Sequence, residues 1–212
     1  MQFDPHCRRC PRLAGHLASV KVQYPDYHAR PVPAFGDDNP QLLIVGLAPG
    51  MHGANRTGRP FTGDYAGILL YQTLYEFGFS NGPVCENADD GLRLVECRIT
   101  NAVKCLPPEN KPAKEEIRCC NSYLAKEFNA FSNLQAVLIL GTVAHEAVLR
   151  AKQLSAKDCP FAHGAIHVLP SGLKLYDSYH CSRYNTQTRR LTATMFEAVV
   201  ANIRTDLELT PQ

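Results

Sequence analysis

The stretch Leu42-Leu43-Ile44-Val45-Gly46-Leu47-Ala48-Pro49-Gly50-Met51-His52-Gly53-Ala54-Asn55-Arg56-Thr57-Gly58-Arg59-Pro60-Phe61-Thr62-Gly63-Asp64 decides how the chain is read. Its first four residues are a continuous aliphatic run, as expected of a strand buried on both faces. Five glycines and two prolines between positions 46 and 64 then hold the backbone in a tight, irregular path. A buried strand that runs into a long Gly-rich loop carrying His, Asn, Arg, Phe and Asp is how an α/β protein builds a pocket. Ligands of open α/β sheets sit outside the carboxyl ends of the strands, on such loops. The loop has no GxxxxGK[ST] pattern and no compact GxGxxG turn, which excludes a Walker-type phosphate cradle and the simplest dinucleotide turn.

Outward from this stretch, strand and helix signals alternate. Tyr65 to Phe77 has helical spacing (Ile68, Leu69, Tyr71, Leu74, Tyr75), with Gly78 suited to its C-terminal cap. Ser80 to Asp90 is a polar connection, and Arg93 to Val103 reads as a second strand with Asn101 near its end. Cys105-Leu106-Pro107-Pro108-Glu109-Asn110-Lys111-Pro112 is a rigid loop. Lys114 to Phe131 is a helix with Glu115 and Glu116 near its positive end. Ala136 to Leu140 is a third strand, after which Gly141-Thr142 opens a helix to about Ala151. Ile166 to Pro170 and Leu173 to Tyr176 are short strands, the second a candidate hairpin arm. Tyr179 to Asn185 is a loop, and Thr188 to Leu207 is a final helix with Leu191, Met195, Val199 and Ile203 on one face. Residues 1–33 are short of periodicity, and Pro31 and Pro33 keep this arm extended. The pattern predicts an α/β fold, one domain over residues 1–212, with a mainly parallel sheet covered by helices on both faces.

Bulk composition narrows the function. A net charge of +2 over 212 residues is not broadly basic, so nucleic-acid binding must come from a local patch. The start of the chain is polar and charged, unlike a secretory signal, and no apolar stretch reaches the 18 or so residues that cross a bilayer. A cytoplasmic protein without a membrane partner is expected. Nine cysteines in a reducing compartment then point to metal binding rather than disulfides. Cys7-x-x-Cys10 is one close pair; Cys105 and Cys120 are 14 residues apart, with Cys119 an alternative to Cys120. Four such thiolates suit zinc or an iron–sulfur cluster, and the single short pair leans toward the cluster. Cys85, Cys97, Cys159 and Cys181 have no partner spacing and read as ordinary small side chains.

Three blocks, with these cysteines, resemble the iron–sulfur uracil-DNA glycosylases, most closely the family 5 branch. Gly46 to Asp64 resembles that family's first motif, and Ile99-Thr100-Asn101-Ala102-Val103-Lys104-Cys105 its central strand-end motif. His180-Cys181-Ser182-Arg183-Tyr184-Asn185-Thr186 with Leu191-Thr192 resembles its second catalytic motif. The resemblance implies a three-layer α/β/α sandwich around a four-stranded, mainly parallel sheet. It also implies a structural [4Fe–4S] cluster on Cys7, Cys10, Cys105 and Cys120. Where related uracil glycosylases carry an acid or amide soon after the leading glycine, this chain has Leu47, a departure typical of the family 5 branch. Cys181 stands where the family often has Pro, and Arg189 where it often has Gly.

The implied activity is excision of uracil, and of other deaminated bases such as hypoxanthine, from DNA by a monofunctional enzyme acting as a monomer. The target base leaves the stack at a cost of a few kcal/mol. The bond to the sugar then loosens into an oxocarbenium-like sugar and an anionic base. His180 is the candidate to stabilise that anion at its O2 oxygen. Asn101 offers a donor and an acceptor to the base edge. Phe61 would stack on the base, worth about 1–3 kcal/mol, while the backbone of Gly46, Leu47 and Ala48 approaches it closely. Asp64 either positions the water or caps the helix that follows it. Arg56, Arg59, Arg183 and Arg189 are candidate DNA contacts, with Lys104, Lys111 and Arg190 as further phosphate partners. The competing reading is a non-catalytic, metal-ordered nucleic-acid-binding module, in which Asn101 and His180 would be dispensable.

Overall fold

A computed structural model describes residues 3–207. The aliphatic run forms β2 (Leu42–Gly46), every residue of which is buried. Leu42 and Ile44 face one hydrophobic core and Leu43 and Val45 another, the alternation a strand imposes. On one face lie α3 (Tyr65–Glu76) and α7 (Ala193–Asp206), packed on the sheet through Leu70, Leu74, Phe196 and Val200. On the other lie α4 (Lys114–Ala130) and α5 (Thr142–Ala151), through Leu124, Ala144 and Val148. The fold is therefore the expected three-layer α/β/α sandwich.

Four strands make the parallel centre: β3 (Cys97–Asn101), β2, β4 (Ala136–Leu140) and β6 (Lys174–Ser178). The sheet has six strands rather than four, because β1 (Phe35–Gly36) and β5 (Ile166–Val168) add antiparallel edges, giving the order β1-β3-β2-β4-β6-β5. From β2 the chain crosses to β3 on one side and later to β4 on the other, so the loops leaving β2 and β4 part above the sheet. That divergence opens a crevice at the carboxyl ends.

Four elements depart from the sequence reading. The N-terminal arm contains α1 (Pro11–Gln23): Pro11 pre-sets the first turn, and Leu13, Leu17 and Val20 bury one narrow stripe. The second strand is shorter than Arg93 to Val103, and Glu96, just before it, has φ +52°. The loop after Tyr179 turns helical at α6 (Arg183–Gln187), where Ser182 caps the Asn185 N–H. The final helix starts at Ala193, because Arg189 takes a left-handed φ of +57° and Thr192 caps the Met195 N–H. A four-residue turn, α2 (Ala54–Thr57), completes the helices. Among the described residues no helix is long and apolar enough to cross a membrane.

Glu116 fastens α1 to α4. Its carboxylate accepts from Arg12 Nε (2.8 Å) and Nη2 (2.7 Å) and from the Ala113 N–H at the start of α4 (2.7 Å). Burial alone would raise the Glu116 carboxyl, but the guanidinium and the backbone donor outweigh it and hold its pKa below the usual value. A carboxyl lowered in the folded state contributes stability above its unfolded pKa and loses it as the pH falls. Arg12 is half exposed, so the ion pair itself contributes little; with the lost cap, Glu116→Ala should cost about 1–2 kcal/mol at pH 7. The difference from the parent should shrink below about pH 4. Urea midpoints at pH 7 and pH 3.5 test this, and an equal deficit at both would show that the charge has no part in it.

Candidate active site

The carboxyl ends of all four parallel strands open on one cavity of about 460 Å³. Leu47 and Ala48 follow β2, Asn101 ends β3, Leu140 to Ala144 follow β4, and His180 and Ser182 follow β6. Phe61 and Asp64 reach the cavity from the far end of the glycine-rich loop. The amide and the imidazole therefore share one rim, as the three motifs require.

Gly46 sets the closeness of this arrangement. It is paired with Asn101 in the β2–β3 register. A Cβ at position 46 would stand 2.5 Å from Asn101 Oδ1 and 2.6 Å from Phe61 Cζ. Only the missing side chain lets the amide and the ring meet over the strand end. Phe61 holds a left-handed φ of +53°, a strained state that persists where the surroundings over-determine it. Its ring lies 5.7 Å from that of His180 at an interplanar angle of 27°.

Two buried polar atoms here have no hydrogen-bond partner among the described residues: Asn101 Oδ1 and His180 Nδ1. Burial pushes the His180 imidazole down to a pKa of about 4, so the ring is neutral at physiological pH. Asn185 Nδ2 donates to the His180 carbonyl at 2.8 Å and holds the backbone that presents the ring. Asp64 caps α3, its Oδ1 accepting the Gly67 N–H at 3.0 Å, and also borders the cavity. Burial raises its pKa, opposed by the Gly67 and Ala66 N–H groups. A Cβ on Gly53 would lie 2.4 Å from Asp64 Oδ2, so this glycine too makes room for a cavity side chain.

The basic residues divide. Arg56 and Arg183 are exposed beside the cavity, Arg56 donating to the His52 carbonyl (2.7 Å) and Arg183 lying 5.8 Å over the Tyr65 ring. Arg189, Arg190 and Lys111 are exposed as well. Arg59 is not available as a DNA contact: it is 5% exposed and bound to Asp90 (2.6 Å), Thr62 and the Ala88 carbonyl. Lys104 is likewise buried, held by Thr100 and by Glu127 (2.8 Å). In both cases the carboxylate partner lies more than 20 residues away, and a charge's sequence neighbourhood does not show it.

Asn110 also lines the cavity and was not picked out in the sequence. The Pro107–Pro108 loop brings it there through consecutive left-handed residues, Glu109 (φ +54°) and Asn110 (φ +56°). An asparagine tolerates that backbone better than most residues, which was the available signal. The wall of Leu140, Gly141, Thr142 and Val143 was also missed; its only mark was the Gly-Thr helix opening.

Cys7, Cys10, Cys105, Cys119 and Cys120 all line a second, smaller cavity with Leu13, Val103 and Tyr123. Among the described residues no group of three metal-ligating side chains is placed to hold a single ion. Cys120 is the more buried of the adjacent pair, and its Sγ accepts the Lys104 N–H at 3.3 Å. Cys85, Cys97, Cys159 and Cys181 lie elsewhere.

The model of the uracil DNA glycosylase superfamily matches residues 33–204. A type-5 uracil-DNA glycosylase of Thermus thermophilus is 46% identical over 92% of this chain and 90% of its own length. One from Pyrobaculum aerophilum is 42% identical over 95% and 89%. A type-4 uracil-DNA glycosylase of Archaeoglobus fulgidus is 32% identical over 67% of this chain and 58% of its own. The chain belongs to the uracil DNA glycosylase superfamily, in its type-5 branch.

The desolvated imidazole gives a direct test of the geometry. In a ring-nitrogen NMR titration, His180 should stay neutral down to about pH 4. A midpoint near 6.5, the value of a solvated imidazole, would mean that water reaches the ring and that the rim is not closed as described.

Proposed function

We propose that this member of the uracil DNA glycosylase superfamily hydrolyses the bond between deoxyribose and uracil in DNA, leaving an abasic site. The observation that carries the proposal is the pair of unpartnered buried atoms, Asn101 Oδ1 and His180 Nδ1, on one rim with Phe61. A flipped base supplies what they lack. The Asn101 amide pairs with the polar edge of the base, and Phe61 covers its face. As the C1′–N1 bond breaks, the bonding electrons leave with the base and spread to O2. A neutral His180 donates a hydrogen bond to that oxygen without giving up its proton. Asp64 orients a water whose oxygen forms the new bond to C1′; the water's proton passes to the carboxylate or to solvent. No lysine lines the cavity among the described residues, which supports a monofunctional enzyme, since a lyase step needs an amine to form the Schiff base. The apolar wall of Leu140, Val143 and Ala144 leaves room for a bicyclic base, which supports action on hypoxanthine as well. Arg56, Arg183 and Arg189 hold the flanking phosphates, and Tyr184, 71% exposed one turn after His180, sits where it can enter the gap in the stack.

The gathering of these cysteines at one cavity supports a structural [4Fe–4S] cluster on Cys7, Cys10, Cys105 and Cys120. Its donors are soft thiols, which suit such a cluster, and all four line one cavity. When bound, such a cluster supplies a cross-link between the N-terminal arm, the Cys105 loop and α4. The chain's own residues do the chemistry.

Excision should be measured on a uracil-containing oligonucleotide in EDTA, with abasic sites cleaved by alkali. His180→Ala should lower the single-turnover rate roughly 10²- to 10³-fold while leaving DNA affinity within a few-fold. No strand break from the parent protein would leave only a DNA-binding module. Cys10→Ser should reduce folded yield and abolish an absorption band near about 400 nm expected of the cluster. A variant that keeps both band and stability would remove Cys10 from the ligand set.

A further inference from the structure

A second open groove, about 430 Å³, lies along α1 on the N-terminal arm. Its floor is apolar, from Ala14, Leu17 and Ala18, and its rim carries His6, Arg8, Lys21 and Arg30 with no carboxylate. Arg8 and Arg30 form no ion pair among the described residues. Residues 3–30 hold five Lys and Arg against two Asp, a surplus of three positive charges, whereas the whole chain has only +2. The positive charge of the molecule is thus concentrated on this arm, and three of its five cations, Arg8, Lys21 and Arg30, line this groove.

The groove is built onto the active-site rim. Lys21 Nζ donates to the Tyr27 carbonyl at 2.5 Å, and the Tyr27 hydroxyl bonds His52 Nδ1 at 2.8 Å, two residues beyond cavity-lining Gly50. The His28 and Ala29 N–H groups donate to the Arg56 and Asn55 carbonyls, both at 3.0 Å. Arg30 is therefore held in fixed relation to Arg56, itself beside the cavity. The segment that carries Lys21 and Arg30 is thus tied by hydrogen bonds to the loop that carries Arg56.

We propose that this groove is a second DNA-binding surface: the phosphodiester backbone flanking the flipped nucleotide passes from Arg56 across His52 and Tyr27 to Lys21, Arg30 and Arg8. The proposal rests on the glycosylase reading for its partner but concerns residues that do not touch the base. Cys7 lines the same groove, so whatever orders the Pro5–Arg8 turn also shapes this wall. The charge suits a polyanion, and continuity with the pocket rim favours the DNA already bound there over an acidic protein segment.

The salt dependence of binding tests it. Each phosphate contact contributes a slope of about −0.9 to log K against log salt on duplex DNA. Arg8→Ala/Lys21→Ala/Arg30→Ala should therefore flatten the slope by two to three units on a 30-base-pair duplex carrying a stable abasic-site analogue. Affinity at low salt should fall at least tenfold. Uracil release from a five-nucleotide single strand, too short to reach the groove, should be unchanged. All three side chains are exposed, and an unaltered thermal melt would show that the fold survives. An unchanged slope with uracil release intact overturns the groove and leaves the glycosylase reading standing. Absence of uracil release from the parent protein overturns the glycosylase reading instead. A slope lost equally on the five-nucleotide strand would place these cations at the pocket and also overturn the proposal.

Discussion

The site depends on one absent side chain. β2 and β3 are paired in register at Gly46 and Asn101, and the strand pairing fixes how far apart their backbones stand. Within that fixed spacing the Asn101 amide and the Phe61 ring occupy the volume a Cβ would fill, with contacts of 2.5 and 2.6 Å. The pocket is thus set by sheet register, the most rigid feature available, rather than by loop packing. Phe61 can keep its left-handed backbone because Gly67 lies against it: a Cβ there would stand 1.9 Å from the Phe61 carbonyl oxygen. Gly46 at the end of β2 makes room for the ring, and Gly67 in α3 makes room for the backbone that carries it.

The thiol-lined cavity and the base pocket share a wall. Ala48 lines the pocket and also packs into the cluster of Leu13, Val103, Cys120 and Tyr123 that the cysteines border. The Val103 N–H donates to the Leu47 carbonyl at 3.0 Å, so the segment after Asn101 is tied to the segment after Gly46. Displacing the Cys105 end of that segment moves the pocket floor. The Arg12–Glu116 contact adds a second tie, from α1 to the helix bearing Cys119 and Cys120. Two small clusters support the N-terminal arm, one around Leu13 and one around Leu17 and Val20, so fastening it by side chains fits their size.

What the sequence disclosed follows from how each element earns its burial. β2 and β4 are wholly buried and appear as unbroken aliphatic runs; α4 is long and capped, and its bounds were legible to a residue. α1 buries only Leu13, Leu17 and Val20 amid small and charged residues, a stripe too thin to stand out. Of the two edge strands, β1 has two residues and left no pattern to read, whereas β5 was legible as a strand although Ile166 and Val168 are exposed. The pocket residues that belong to motifs, His180, Asn101, Phe61 and Asp64, do line one cavity. Those whose role comes from topology, Asn110 and the Leu140–Ala144 wall, carried no local chemistry to single them out. Arg59 and Lys104 misled because a charge in sequence is silent about its burial.

The unpartnered atoms explain why such a site persists at a cost to the fold. A buried acceptor or donor without a partner is worth roughly 1–3 kcal/mol of lost stability. Asn101 Oδ1 and His180 Nδ1 each carry that penalty in the free protein, and the neutral, desolvated His180 adds an acid-labile element, since the unfolded chain binds a proton there that the folded one refuses. A site optimised for stability alone would pair the amide and imidazole with each other or with the backbone. Here the surrounding apolar atoms of Leu47, Ala48, Leu140 and Val143 keep them apart from substitutes. Under the proposed function, a planar group bearing both a donor and an acceptor would remove the deficit by entering against Phe61. Binding selectivity therefore follows from the same groups that weaken the empty pocket: a ligand that satisfies one atom and not the other leaves a buried polar group unpaired, and that penalty discriminates against it.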